Sequence, residues 1–307
     1  MSWVDFVTAL LASSVRLTIP VAMAATGEVV TERSGVVNVG IEGVMLMGAF
    51  LSVYGSAVSG SPWGGLACAV ACGVVFGAIH AFFAIRLHAE QIVTGIAIVI
   101  LCLGLSGLLF RLTIGAKPFA VAGFEPLDIY PLSALPVIGP ALFQQQILTY
   151  LGLGIVIVTS WTFRFTRFGL EIRAAGESPE TVEAAGISVA GRRFAATAFG
   201  GGLAGFGGAA LAIAGLNNFI ENMVAGQGFI AIACVVFGRW RPMGAVVAAF
   251  GFGLSEALQI RLQMLVPDFP YQFLVILPYL AAVVALVLLG RSAQSPKFLG
   301  QPFRRTQ

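Results

Sequence analysis

Long apolar runs recur along the whole chain, and they restrict its fold more than any other feature of the sequence. A helix needs about 20 apolar residues to cross roughly 30 Å of membrane hydrocarbon. The residues are 58% hydrophobic and only 10% charged, whereas a typical soluble domain is about 25% charged. This pattern excludes a soluble globular domain. It predicts an all-α polytopic membrane protein with about 8–10 transmembrane helices.

We identify nine hydrophobic segments. They are Val4–Gly27, Val36–Ser59, Pro62–Leu87, Gln91–Thr113, Gln146–Phe163, Phe194–Leu216, Gly226–Gly238, Met243–Leu262 and Tyr271–Gly290. The seventh is too short for a straight span. We therefore predict a broken or re-entrant helix there, whose ends are covered by protein or by a water-filled cavity.

The basic residues are distributed unevenly between the two sides of the predicted spans. Alternating spans place most of them on one side, which the positive-inside rule makes cytoplasmic. They are Arg86, Arg164, Arg167, Arg173, Arg192, Arg193, Arg239, Arg241, Arg291, Lys297, Arg304 and Arg305. We therefore expect a cytoplasmic C-terminus, with the N-terminus and the loop Ile114–Gln145 on the outer face.

The sixth segment contains AFGGGLAGFGGAAL, in which small residues recur at intervals of four. They are Gly200, Gly201, Ala204, Gly205 and Gly208. This spacing lets helix backbones approach closely. We predict tight helix packing around this segment, which is also compatible with a span that slides during a transport cycle.

Residues that carry enzymatic chemistry are scarce. His80 and His88 are the only histidines, and the chain contains neither HExxH nor GxSxG. The cysteines all lie inside apolar runs, where Cys behaves as a small hydrophobic residue. They are Cys68, Cys72, Cys102 and Cys234. An intramembrane enzyme is disfavoured, and no metal ligands are predicted.

One polar stretch, RAAGESPETVEAAGI, interrupts the apolar pattern and has the signals of a short helix. Ser178 is a suitable N-cap, Pro179 suits the first helical position, and Gly186 is placed to end the helix. A helix of about two turns, Pro179–Ala185, is marginally stable alone. Its apolar side chains are small, as a groove on another protein would require: Val182, Ala184 and Ala185. A solvent-exposed loop with a short helix fits the residues equally well.

Four sequence blocks resemble permeases of ABC importers, in the family that serves simple sugars, nucleosides and branched-chain amino acids. They are TERSGVVNVGIEGVMLMGAF, GESPETVEAAGISVAGRRFAATAFGGGLAGFGGAAL, GQGFIAIACVVFGRWRPMGAV and FPYQFLVILPYLAAVVAL. The blocks have the family's order and spacing, and the first is most similar to the nucleoside and purine branch. The resemblance covers nearly the whole chain and implies a single permease domain over residues 1–307.

The resemblance also implies a role for the polar stretch. In such permeases a cytoplasmic coupling loop, here residues 164–193, carries a short helix that seats in a cleft of a separate ATPase subunit. The corresponding residues are Glu177, Ser178, Pro179, Glu180, Ala184, Ala185 and Gly186. ATP and Mg²⁺ would bind to that partner, so this chain is expected to be neither an enzyme nor the holder of a cofactor. In agreement, the only lysines, Lys117 and Lys297, lie in no GxxxxGK[ST] motif.

The function implied by the resemblance is that of a permease subunit in a bacterial inner membrane, surrounded by lipid and without a nucleic-acid partner. It would pass a nucleoside or related purine, or a simple sugar, received from an extracytoplasmic binding protein. The nucleoside branch usually uses two different permeases, so a related second permease is expected. The alternative is a secondary transporter or channel without an ATPase. Such a protein should show internal repeats and ionisable relays, and no clear repeat is visible.

Polar residues inside spans are costly in lipid, and they mark candidate positions on the translocation path. Asn38 and Glu42 are four residues apart in VVNVGIEGVM, which places both on one face of a predicted helix. They either line the path or bond to neighbouring helices and loop backbone. Glu256 forms a second polar stripe with Gln259 and Gln263, which either lines the pore or packs between helices.

A polar cluster is predicted at the outer ends of the sixth and seventh segments. Its members are Asn217, Asn218, Glu221, Asn222 and Gln227. The cluster either receives substrate from a binding protein or is a solvated loop. Phe219 and Phe229 flank it, and their rings either stack on a base or sugar or serve as interfacial anchors.

Overall fold

The structure is a computed structural model that describes residues 3–113, 115, 121, 123–265, 270–289 and 294–303. Within these residues the regular secondary structure is helical, which confirms the predicted all-α fold. The helices are α1 (Trp3–Arg33), α2 (Ile41–Ser59), α3 (Pro62–Ala81), α4 (Gln91–Thr113), α5 (Ile138–Phe143), α6 (Ile147–Phe165), α7 (Arg167–Glu177), α8 (Pro179–Ala184), α9 (Val189–Leu211), α10 (Gln227–Phe237), α11 (Pro242–Leu265) and α12 (Tyr271–Leu289). π-helical turns extend α3 to Arg86 and α9 to Leu216.

Seven of these helices are long and apolar enough to cross a membrane. They are α1, α2, α3, α4, α6, α9 and α11. The helix α12 has 19 residues, and α10 is a shorter apolar helix. Each predicted hydrophobic segment therefore contains a helix, and the chain is a polytopic membrane protein.

The first helix is longer than the sequence predicts. It continues to Arg33 instead of ending near Gly27. Glu28 and Glu32 are buried on this extension, and both carboxylates accept hydrogen bonds from other parts of the chain. Buried polar groups are stable where they are paired in this way, so the last turns of α1 remain helical despite their acidic residues.

The second helix is shorter than predicted. It begins at Ile41 rather than at Val36, and residues 34–40 form an irregular segment between α1 and α2. The backbone N–H of Asn38 donates to the Glu28 carboxylate over 2.8 Å. The irregular segment therefore turns back along α1, and α2 starts inside the bundle rather than at its edge.

The spanning helices alternate in direction between two ends of the molecule. At one end, which we call the arginine-rich end, Arg33 donates from Nε to the Trp240 carbonyl (2.9 Å), and Arg193 donates to the Gln301 carbonyl (2.9 Å). At the opposite end, Gln145 donates to the Ala12 carbonyl near the start of α1 (3.2 Å). The described part of the loop predicted at Ile114–Gln145 thus lies across the bundle from α7 and α8, as alternating spans require.

The glycine-rich helix α9 lies at the centre of the bundle, against α1, α2 and α3. A Cβ atom added at Gly201 would overlap the carbonyl oxygen of Gly73 on α3, and one at Gly208 would overlap that of Met45 on α2. Gly200 approaches Gly27 on α1 in the same manner. The predicted close packing is confirmed, because the small residues let α9 touch three helices through its backbone.

The helix α10 is the half-helix expected from the seventh segment. Its 11 residues extend over about 16 Å, roughly half the hydrocarbon thickness. It starts inside the bundle beside Glu42 and ends next to Trp240 at the arginine-rich end. Protein therefore covers its buried end, as short membrane helices require.

The polar region of residues 164–193 contains two helices where one was predicted. Thr166 caps α7 by accepting the backbone N–H of Gly169 (3.2 Å). α7 then buries Ile172 and Ala175 against the bundle. α7 was not predicted, because its mixture of glycine, arginine and acidic residues lacks the strong end signals of α8.

Candidate functional site

The short helix α8 projects from the arginine-rich end. Ser178 occupies the N-cap position, but its hydroxyl contacts the Thr181 hydroxyl (2.7 Å) instead of a backbone N–H. Gly186 follows the helix with φ +77°, and its N–H donates to the Glu183 carbonyl (2.9 Å). The left-handed backbone at Gly186 therefore ends α8 sharply, in a conformation that glycine adopts without strain.

One face of α8 is buried within this chain. Pro179 and Val182 are buried, and Val182 packs with Ala175 and Val189. The prediction that Val182 is available to a groove on another protein is therefore wrong. The reason is that α8 folds back onto α7 and uses Val182 as its own anchor.

The other face of α8 is exposed. It carries most of the residues that the family resemblance assigns to the ATPase contact: Glu177, Ser178, Glu180, Ala184, Ala185 and Gly186. Pro179, which belongs to the same set, is buried under the helix. The exposed face combines acidic side chains at its start with methyl groups at its end, so a complementary groove would need basic and apolar surfaces.

Asn38 and Glu42 do not share a helix face, contrary to the prediction. Asn38 lies in the irregular segment before α2, and its side-chain oxygen accepts the N–H of Gly40 (3.1 Å). Such an Asx turn offers the backbone an alternative to the helix, which explains why α2 starts later than expected. Asn38 is buried, so its amide supports the chain reversal in this conformation.

Glu42 holds the start of α10. Its Oε1 accepts the N–H of Gly226 (2.8 Å), and its Oε2 accepts the N–H of Gly228 (2.7 Å). A carboxylate at this position satisfies free N–H groups and lies at the positive end of the helix dipole. In this arrangement Glu42 bonds to neighbouring backbone, which is one of the two roles that its sequence position left open.

The irregular segment 34–40 is held by side chains from several helices. The Val37 N–H donates to Gln91 Oε1 on α4 (2.8 Å), and the Val37 carbonyl lies 2.9 Å from His80 Nε2 on α3. The Gly35 carbonyl accepts the N–H of Gly300 (3.1 Å). The segment thus ties α1, α3 and α4 to the C-terminal stretch.

Two buried groups connect this region to α7 and α11. The guanidinium of Arg193 on α9 donates to the carbonyls of Gln301 (2.9 Å) and Ala175 (3.2 Å). Trp240, before α11, donates from its indole nitrogen to the Glu32 carboxylate. Five residues of this network were not predicted from the sequence: Glu28, Glu32, His80, Gln91 and Arg193. Their polar side chains could have identified them, because each lies within or beside an apolar run.

The predicted outer cluster lies along the loop between the end of α9 and the start of α10. Asn217 is exposed with φ +51°, and its carbonyl accepts the N–H of Val121 (3.3 Å). Asn218 is partly buried and accepts the N–H of Phe219 through its side chain (2.8 Å). Gln227 is partly buried at the first position of α10. These residues line a loop that descends from α9 to the buried start of α10.

The two phenylalanines that flank the cluster differ in their exposure. Phe219 is buried between Phe50 and Phe110, with ring centroids 5.5 Å and 5.2 Å away. Its face is therefore covered in this conformation and does not present a stacking surface. Phe229 on α10 is 48% exposed. Of the two predicted stacking rings, only Phe229 is open to a ligand here.

An exposed ion pair holds the same loop against α4. Arg111 donates from Nε and a terminal nitrogen to both carboxylate oxygens of Glu221, at 3.0 and 3.1 Å. This hydrogen bond and the positive charge lower the pKa of the Glu221 carboxyl. Both groups are solvent-exposed, so the pair orients the loop more than it stabilises the fold.

Glu256 lies in the middle of α11 and is partly exposed, as are Gln259 and Arg261. A carboxyl group in a spanning helix is costly against lipid. Its exposed part is therefore expected to face water or another protein chain. Within the described residues, no group of three or more His, Cys, Asp and Glu side chains is arranged to hold a metal ion.

Comparison with known proteins extends these observations. Residues 10–290 match the family described as branched-chain amino acid transport system / permease component. The guanosine ABC transporter permease protein NupQ of Bacillus subtilis is 37% identical over 296 residues, which cover 92% of each chain. The nucleoside ABC transporter permease protein NupC of Lactococcus lactis is 33% identical over 309 residues, or 97% of each chain. A Haloferax volcanii protein named for glucose ABC transport, TsgC13, is 37% identical over 85% of this chain and 80% of its own length.

The family match covers most of the sequence, and it agrees with a multi-pass bundle that carries a short exposed helix between two spans. A location in the inner membrane follows from the family and from the apolar helices. The chain therefore belongs to the family of branched-chain amino acid transport system permease components and is a permease of an ABC importer.

Proposed function

We propose that this permease passes nucleosides across the inner membrane. The observation that carries the proposal is the similarity to NupQ and NupC, which extends over at least nine-tenths of each chain. Similarity of that extent includes the path-lining helices as well as the coupling region. In this view the polar residues available to a nucleoside are Gln227 and Glu256, with Phe229 as the exposed ring.

A simple sugar is the second candidate substrate. The similarity to TsgC13, a protein named for glucose transport, reaches the same 37% identity, although over a smaller share of each chain. A nucleoside and a sugar share hydroxyl groups on a ring, so amide and carboxylate side chains serve both. They differ in the base, which requires an aromatic or apolar surface for stacking.

We also propose that a separate ATPase drives transport and binds the exposed face of α8. ATP and Mg²⁺ would be held by that subunit. The acidic and methyl-bearing face formed by Glu180, Ala184 and Ala185 supports this role, because it is exposed while the opposite face of α8 is already buried in the permease. The arginine-rich end would then face the cytoplasm, together with the C-terminus, as the positive-inside rule requires.

A second, related permease and an extracytoplasmic binding protein complete the proposed complex. The partly exposed Glu256 and Gln259 on a spanning helix support the second permease, since they need a polar environment that a lone chain in lipid does not supply. The loop Asn217–Gly226 and the described part of the loop 121–145 lie at the opposite end of the bundle, where a binding protein would deliver substrate.

Uptake of radiolabelled guanosine by cells that express the complete importer tests the substrate assignment. We expect ATP-dependent uptake that excess unlabelled adenosine or uridine reduces and excess glucose leaves unchanged. The control strain carries the same ATPase and binding protein without this permease. Glucose uptake that nucleosides do not reduce would reject the nucleoside assignment and favour the sugar. Uptake that persists without the ATPase would favour a secondary transporter or channel.

A further inference from the structure

A cavity of about 670 Å³ opens at the arginine-rich end, between the ends of α1, α6 and α7 and the start of α11. Four arginines line it: Arg33, Arg164, Arg173 and Arg241. They come from four separate places in the sequence, so no single motif reveals the cluster. The tertiary fold alone brings these guanidinium groups around one cavity.

The charges in this cavity are not balanced. Glu177 lies 3.6 Å from Arg33 and is half exposed. Arg173 and Arg241 act on Arg33 with the same positive sign. Within the described part of the chain, Arg164, Arg173 and Arg241 form no ion pair. Like charges repel across a cavity of this size, so an anion bound among the four guanidinium groups would lower the electrostatic energy.

The remaining lining of the cavity is mostly apolar. Phe163 of α6 and Pro242 and Met243 of α11 contribute to its wall. Met243 is 50% exposed, and Trp161 and Val247 nearby on the same two spanning helices are exposed as well. Because α6 and α11 are long and apolar enough to cross a membrane, these exposed apolar side chains are available to the acyl chains of a lipid. The cavity therefore lies at the ends of two spanning helices, where an arginine cluster meets an apolar surface.

We propose that this cavity binds the phosphate headgroup of an anionic phospholipid, with the acyl chains lying along α6 and α11. Guanidinium groups match phosphate oxygens in charge and in hydrogen-bond geometry. Basic pockets between transmembrane helices are known to hold such headgroups. The apolar margin favours a lipid over free phosphate, because inorganic phosphate would gain nothing from the exposed Met243 and Trp161.

The position of the cavity connects lipid binding to the coupling region. Arg33 ends α1 and contacts Glu177, which immediately precedes Ser178 and α8. Arg33 also donates to the carbonyl of Trp240, before α11. A bound phosphate would compete with Glu177 for Arg33, so lipid occupancy and the position of the α7–α8 corner are linked. This inference does not depend on the identity of the transported solute.

Lipid binding to the full-length permease, purified in detergent, tests the proposal. The probes are phosphatidylglycerol, phosphatidylcholine with identical acyl chains, and sodium phosphate, and retained lipid is counted by native mass spectrometry. We expect phosphatidylglycerol to remain bound, and phosphatidylcholine to dissociate. Arg241→Gln should weaken phosphatidylglycerol binding about five-fold, since one arginine near an anionic headgroup contributes roughly that factor. Arg86→Gln is the matched control, because Arg86 is also exposed at the arginine-rich end and does not line the cavity.

Three results would overturn the proposal. Equal retention of the two phospholipids would remove the role of the anionic charge. Displacement of phosphatidylglycerol by millimolar sodium phosphate would identify the site as one for the free ion. Unchanged phosphatidylglycerol binding in Arg241→Gln would show that the arginines of this cavity do not hold the headgroup. If Arg241→Gln does not fold, Arg164→Gln replaces it, since Arg164 is exposed and contacts only the Phe165 ring among described partners.

Discussion

The Oε2 atom of Glu42 lies 2.7 Å from the backbone nitrogen of Gly228, so a residue at the start of α2 holds the start of α10. Both helices begin inside the bundle, where their free N–H groups would otherwise be unpaired. In a membrane protein such groups have no water to bond. The contact therefore makes a broken helix possible inside the bundle, and it places the two helix starts beside each other.

Replacing Glu42 with Gln is expected to reduce the stability of the permease. The amide offers one acceptor oxygen where the carboxylate offers two, so one of the Gly226 and Gly228 N–H groups is left unpaired. An unpaired buried donor costs about 1–3 kcal/mol. Thermal unfolding of the purified chain measures the loss. Glu256→Gln is the control, because Glu256 lies in the middle of α11 and caps none of the described helices. Normal stability with reduced uptake would instead place Glu42 on the path.

Gly228→Ala should disturb the same contact from the other side. A Cβ atom at this position would lie 2.6 Å from the Glu42 Cα and 2.7 Å from its nitrogen, and backbone atoms cannot move aside cheaply. We expect a loss of about 1–3 kcal/mol, as overpacking of a core produces. Gly251→Ala is the matched control: its Cβ meets nothing within 4 Å, and alanine there should stabilise α11 by about 0.5–1 kcal/mol. Similar unfolding temperatures for the two variants would contradict the close approach.

The number and order of the spanning helices follow from the sequence because hydrophobic length is a local property. The same holds for the close packing of α9, which its small residues predict. The start of α2 could not be placed in this way. Val36–Gly40 is apolar enough to be read as helix. Its backbone N–H groups instead donate to the side chains of Glu28 and Gln91, and the local residue pattern does not reveal these contacts.

The buried guanidinium of Arg193 should control how firmly the C-terminal stretch is attached. It donates to the Gln301 and Ala175 carbonyls at once, and a lysine ammonium is a point charge that lacks the fork needed for both. We therefore expect Arg193→Lys to speed tryptic cleavage at Lys297 by several-fold, as followed by mass spectrometry. Arg192→Lys is the control, since Arg192 pairs with Glu171 (2.6 Å) and not with the C-terminal stretch. Equal cleavage rates in the two variants would show that Arg193 is not the attachment.

The orientation of the bundle gives a direct labelling prediction. In a background without the four cysteines, Tyr130→Cys should react with an impermeant thiol reagent in intact cells, because Tyr130 is 82% exposed at the end opposite to the arginines. Ser178→Cys should react only after the membrane is opened. The reverse pattern would place the arginine-rich end outside, against the positive-inside rule.

The candidate site was less predictable than the fold. The surface position of α8 agrees with its polar sequence. Which face of α8 is exposed depends on its packing against α7, and α7 has end signals too weak for the sequence to predict it. Phe219 looks like a ligand-stacking ring in sequence, yet Phe50 and Phe110 enclose it. Contacts between residues far apart in the chain decide both cases, and local residue patterns do not contain them.

The exposed end of α8 is where the contact with the ATPase is expected to be tightest. Ala184 and Ala185 present only methyl groups there, while Val182 and Pro179 anchor the helix to the permease. Ala184→Trp should overfill a groove that accepts a methyl group, so we expect the ATPase to separate and ATP-dependent uptake to be lost. The permease should still insert, because Ala184 is exposed and makes no contribution to the core. Ala184→Ser, which adds a single oxygen, is the control and should retain uptake.

Gly186→Val examines the shape of the same helix without adding bulk against a neighbour. Nothing lies within 4 Å of a Cβ at Gly186, but its φ of +77° is strained for a β-branched residue. We expect the end of α8 to distort, and uptake to fall while ATP binding by the isolated ATPase is unchanged. Co-purification of the two subunits and uptake of labelled substrate measure both effects. Full uptake by Ala184→Trp with the ATPase still bound would show that α8 is not the docking helix. The Gly186→Val result would then report only on the stability of the loop.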